Sequence, residues 1–142
     1  VREHVPVARD AEIFELVDSI GLRQADRALE QVRLLLDEGY HPLQMLAMIA
    51  RQTRMLITVS EQSQRRVAPP DILRQLGLRP TYTGLYRKLH EQSRRFGLAE
   101  LEHLQREVAA LDYAIKTGLV EPEVGLQILV VRACAKLVSE SS

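Results

Sequence analysis

Two arginines one helical turn apart, Arg51 and Arg54, and a second basic group of Arg87, Lys88, Arg94 and Arg95 could do chemistry in this sequence. That chemistry is binding: guanidinium and ammonium groups pair with carboxylates of another chain or with nucleic-acid phosphates. Arg51 and Arg54 can bridge to a neighbouring subunit or to acidic side chains within the domain. The second group sits in the outline of a helix-turn-helix. A short helix near Asp71–Leu76, a turn at Gly77–Pro80 and a helix over about residues 81–95 would present all four cations to DNA. Against that reading, Tyr82, Leu85, Tyr86 and Leu89 occupy the inward face, and the exposed set lacks the Asn, Gln and Arg mixture near the helix start that reads base edges. The alternative is a corner between two helices of a bundle.

Patterns for catalysis are absent. No Gly-rich loop ends in Lys followed by Ser or Thr, so a phosphate cradle of the P-loop kind has no residues to build it. Lys116-Thr117-Gly118 has similar letters in another order, and its lysine is expected to pair with Asp112 one turn earlier while sitting over the negative end of its own helix. His4, His41, His90 and His103 show no metal-ligand spacing. Cys134 stands among Ala133, Ala135 and Leu137, the setting of a small core residue. No catalytic residue, metal or cofactor is expected.

Composition bounds the molecule around these residues. With 142 residues and 46% hydrophobic content, one domain with a real core is expected and no second one. One cysteine excludes an intrachain disulfide and fits a reducing, cytoplasmic setting. No apolar run, Ile128 to Val131 included, is long enough to span a bilayer, and no signal-peptide core follows Val1. Since the chain opens without Met, we expect a C-terminal fragment of a longer protein, with residues 1–9 and 139–142 frayed. Net charge is zero but uneven. Residues 51–95 carry ten Lys or Arg against three Asp or Glu, a net of +7, whereas the segments before and after are at −4 and −3. A basic middle between acidic flanks suits head-to-tail packing of like domains, a nucleic-acid face, or solvated helix surfaces alone.

The elements that must position these groups read as helices throughout: an all-α single bundle of about six or seven. Asp10 can cap a helix through Ile20, with Gly21 ending it. Ala25, Ala28, Leu29, Val32, Leu35 and Leu36 stripe a second helix over about residues 23–38. Pro42 opens a third, running to about Gln64; only Gln44 is polar between Leu43 and Ala50, so this helix should be central. Tyr82, Leu85, Tyr86, Leu89, Ser93 and Phe96 share a face of the helix over 81–95, with Gly84 a weak point inside it. Leu98, Leu101, Leu104, Val108, Leu111 and Ile115 stripe the next, which stops at Gly118. The last begins near Pro122 and is apolar almost all round, so it either threads the core or offers a hydrophobic face to another chain. Leu126, Val130 and Leu137 are its candidate interface residues, with Arg51, Arg54, Arg94 and Arg95.

Several strings resemble a known family. Ile13-Phe14-Glu15-Leu16-Val17-Asp18, the segment from Leu46 to Leu56, Arg94-Arg95-Phe96, and Asp112 to Gly118 are similar to the C-terminal domain of the delta subunit of the bacterial DNA polymerase III clamp loader. The resemblance covers residues 13–131. It implies a helical collar domain that joins delta to the motor subunits and the delta-prime subunit in a ring of five. It further implies that sliding-clamp contact belongs to an N-terminal part absent from this sequence, that ATP hydrolysis belongs to the motor subunits, and that any DNA contact is indirect. Gly97 stands where the family commonly has a Ser-like cap, a change worth only a few tenths of a kcal/mol.

Overall fold

Seven helices make up most of the described residues in the computed structural model, which describes the backbone of residues 7–140 and the side chains of residues 10–135. In order they are α1 (Val7–Gly21), α2 (Ala25–Asp37), α3 (Pro42–Gln64), α4 (Pro69–Gln75), α5 (Thr83–Ser93), α6 (Leu98–Lys116) and α7 (Pro122–Glu140). No strand occurs among the described residues, so the all-α expectation holds. The expected frayed ends lie largely outside the described residues; the backbone at 7–9 and 139–140 is helical. Helix α1 therefore starts before Asp10, which sits in its first turn and complements the positive end of the dipole instead of capping it.

Helix α3 is central as expected, packing against α1, α4, α5, α6 and α7. Met45, Leu46, Ile49, Leu56 and Val59 are buried on it and meet Leu16 and Ile20 of α1, Leu89 of α5, Leu101 and Leu104 of α6 and Leu126 of α7 in one core. Full burial of each Leu or Ile side chain contributes about 1.5–3 kcal/mol. Its start combines Pro42 at the first helical position with a cap the sequence reading missed. His41 Nδ1 accepts from the Leu43 N–H at 3.0 Å, and Gln44 Oε1 accepts from the His41 N–H at 2.8 Å.

Helix α6 ends as its sequence foretold. Gly118 adopts φ +77°, the Leu119 N–H returns to the Ala114 carbonyl at 2.8 Å, and Lys116 Nζ lies 2.9 Å from Asp112 Oδ2. Gly97 caps the start through its backbone alone, with its N–H donated to Glu100 Oε1 at 2.9 Å. One expectation needs correction. Tyr82 is not inward: it precedes α5, is 45% exposed, and lies with its ring 5.9 Å from the Arg79 guanidinium carbon. Helix α1 ends at Gly21 as expected, while the left-handed residue after it is Arg23, at φ +63°.

Gly21 serves a different purpose. A Cβ there would lie 2.9 Å from Phe96 Cε2 and 3.0 Å from Arg95 Cβ, so its lack of a side chain lets α1 meet the α5–α6 corner closely. Overpacking typically costs about 1–3 kcal/mol, while Ala in place of Gly favours a helix by up to about 1. Gly21→Ala should therefore lose about 1–2 kcal/mol in urea unfolding; a gain in stability would show that Phe96 moves aside freely.

Candidate functional site

Arg51 of α3, Lys88 of α5 and Arg95 just beyond α5 line a groove between α1, α3 and α5 of about 530 Å³, together with Phe14, Met48 and Leu85, whereas Arg54, Arg87 and Arg94 do not line it. Its floor is polar and buried. Gln52 Nε2 donates to Gln92 Oε1 at 2.7 Å, and Gln92 Nε2 donates to the Phe14 carbonyl at 2.9 Å and to Asp18 Oδ1 at 3.3 Å. Arg95 Nε donates to the same Asp18 oxygen at 2.8 Å, so this arginine is tied to α1. Arg51 reaches Asp10 at 3.9 Å with both side chains more than half exposed, a pair worth little and easily exchanged for another partner. Arg54, Arg87, Lys88 and Arg94 are exposed and have no ion-pair partner among the described residues.

A second polar junction closes the far side of α1. Arg23 Nη2 donates to both Glu100 oxygens, at 3.0 and 3.2 Å, with the Glu100 side chain only 5% exposed. At the outer surface, burial first and the nearby Glu38 second hold the Glu12 carboxyl above the usual carboxylate range.

Helix α7 uses both of its apolar faces. Leu126 and Val130, expected at an interface, are fully buried in the domain's own core with Leu129, Ala133 and Cys134. The face left to solvent carries Val124, Ile128 and Val131, exposed by 52%, 51% and 42%. Leu137, the third candidate, lies outside the residues whose side chains are described. No group of three or more His, Cys, Asp and Glu able to hold a metal occurs among the described residues. No described helix is long and apolar enough to cross a membrane. The described surface carries exposed cations and exposed aliphatic side chains on a helical frame.

Residues 10–133 match the family of the C-terminal domain of the DNA polymerase III delta subunit. The chain belongs to that family. The DNA polymerase III subunit delta of Bacillus subtilis strain 168 is 27% identical over 128 residues, which cover 89% of this chain and 36% of that relative. A solved structure, the Bacillus subtilis DNA clamp loader delta protein, superposes with a TM-score of 0.80 at 23% identity over the same shares of the two chains, a likeness of fold. The chain thus spans about a third of the length of these relatives.

As a delta C-terminal domain, the molecule gives the helix-turn-helix outline a structural part. Leu89, Gln92 and Ser93 of α5 are buried against the bundle, and Arg95 is fastened to Asp18, so α4 and α5 form a corner. Family membership does not favour the DNA-binding alternative. Sequence reasoning missed Gln52, Gln92 and Glu100 because buried polar residues carry no local signal. It missed Val124, Ile128 and Val131 because a helix that is apolar all round hides which stripe faces outward.

Proposed function

We propose that this chain is a noncatalytic oligomerisation domain of a clamp-loader delta subunit. Acting as one helical domain over residues 1–142, it joins the motor subunits and the delta-prime subunit in the collar of a cytoplasmic, pentameric loader that places the sliding clamp on DNA. Clamp contact and ATP hydrolysis lie elsewhere in that assembly, and the domain's contact with DNA is indirect. The observation that carries this reading is the division of α7, which fills the core with Leu126 and Val130 while leaving Val124, Ile128 and Val131 exposed. Membership in the delta family supports the choice of partners. The groove cation Arg51 and, one turn further along α3, Arg54 supply a second contact with a neighbour's carboxylates, and Arg94 and Arg95 continue it around the α5–α6 corner.

Full-length delta carrying Arg51→Glu and Arg54→Glu, mixed with purified loader subunits, should assemble about tenfold more weakly while its circular dichroism stays helical. Unchanged assembly removes these two residues from the interface. Full assembly by delta lacking the whole domain would overturn the oligomerisation reading itself.

A further inference from the structure

Helices α2 and α7 pack side by side, and the face they share toward solvent is apolar along its ridge and acidic along its rim. Val124, Ile128 and Val131 recur at i, i+4 and i+7, the spacing by which one helix packs along another. Leu34 of α2, 53% exposed, joins Glu123 and Gln127 of α7 in lining a cleft of about 820 Å³ between the two helices. Leu34 lines the cleft, and on α7 Val124 and Ile128 directly follow its lining residues Glu123 and Gln127 in sequence, so the exposed aliphatic side chains are grouped and not scattered singly as is usual on a surface.

The charge around the cleft says what covers it. Asp26, Glu30, Asp37 and Glu123 line it against a single cation, Arg33. None of these five has an ion-pair partner among the described residues, whereas Asp18, Asp71 and Asp112 elsewhere on the surface each have one. Asp37 also closes α2 at the negative end of its dipole, where a carboxylate does nothing for the helix. An apolar ridge bordered by unpaired carboxylates repels phosphates, so a nucleic acid or an anionic membrane is a poor occupant.

We propose that the α2–α7 face docks an amphipathic helix of a neighbouring loader subunit whose apolar stripe is flanked by Lys or Arg. This rests on the oligomerisation reading and names the surface and the partner's chemistry. The ridge provides contact area, and the carboxylate rim selects a cationic partner and sets its register.

Two variants of full-length delta test it against purified loader subunits, with affinity measured at about 0.1 M and about 0.5 M salt. Val124→Ser with Ile128→Ser should weaken binding at least tenfold at both concentrations, because an apolar contact is not screened. Glu30→Lys, Asp37→Lys and Glu123→Lys together should weaken it at least tenfold at low salt, and by clearly less at high salt. All five positions are exposed, and an unchanged circular dichroism spectrum confirms that the variants fold. Wild-type affinity in both variants, where deletion of the domain abolishes assembly, overturns the proposal and leaves the oligomerisation reading standing. If deletion leaves assembly intact, that reading fails and the proposal falls with it. If delta alone dimerises and the variants dissolve the dimer while keeping full loader affinity, the occupant is a second copy and the proposal is again overturned.

Discussion

Replacing Glu100 by Ala is expected to lower the unfolding free energy by about 3 kcal/mol, a large share of what a domain of this size has. The Glu100 carboxylate does two structural jobs at once. It accepts from the Gly97 N–H at 2.9 Å, capping α6 at a residue with no side chain of its own, and from Arg23 Nη2 at 3.0 and 3.2 Å. Arg23 is held at φ +63° and already has a buried Nε without a hydrogen-bond partner, so losing the carboxylate leaves a half-buried guanidinium with less compensation. Breaking fully buried pairs costs about 3–5 kcal/mol, and the 22% exposure of the Arg23 side chain puts this one at the low end. Urea unfolding measures the loss directly. Arg23→Ala with Glu100→Ala should cost less than the two single losses added, since the second substitution removes a group the first has stranded. Arg23→Gly should be about 1 kcal/mol less damaging than Arg23→Ala, because glycine accepts the left-handed backbone. A loss below about 1 kcal/mol for Glu100→Ala would mean that water replaces the carboxylate at both sites.

Gln92→Ala is expected to cost about 2–3 kcal/mol. Gln92 is 1% exposed and joins three helices, receiving from Gln52 of α3 at 2.7 Å and donating to Phe14 and Asp18 of α1. Truncation strands the Gln52 amide in the interior and opens a void beneath the groove that holds Arg51. Gln92→Met separates the two contributions, since it keeps most of the volume and none of the hydrogen bonds. If Met restores most of the stability, packing dominates; if Met is as damaging as Ala, the hydrogen bonds do. Because the same network fixes Asp18 and through it Arg95, the proposed oligomerisation role further predicts that full-length delta with Gln92→Ala binds loader subunits more weakly than its residual stability alone explains.

Much of the frame was legible from local sequence. The ends of α3 at Pro42 and Gln64 and the stop of α6 at Gly118 depend on a proline, a glycine and their immediate neighbours, as does the pairing of Lys116 with Asp112. The stripes of α2 and α6 follow from spacing alone, and strings such as Asp112–Gly118 were distinctive enough to indicate the family that residues 10–133 match. What spacing left undecided depends on residues far apart in the chain. Arg23 and Glu100 are 77 positions apart, Gln52 and Gln92 are 40 apart, and Gly21 is small because Phe96 lies against it. The two faces of α7 are alike in composition, so nothing in its own residues assigns Leu126 and Val130 to the core and Val124, Ile128 and Val131 to solvent. That choice is made where α6 and α2 press on one side of the helix, because burial is a property of what packs nearby in space, and sequence periodicity reports only how residues repeat around their own axis.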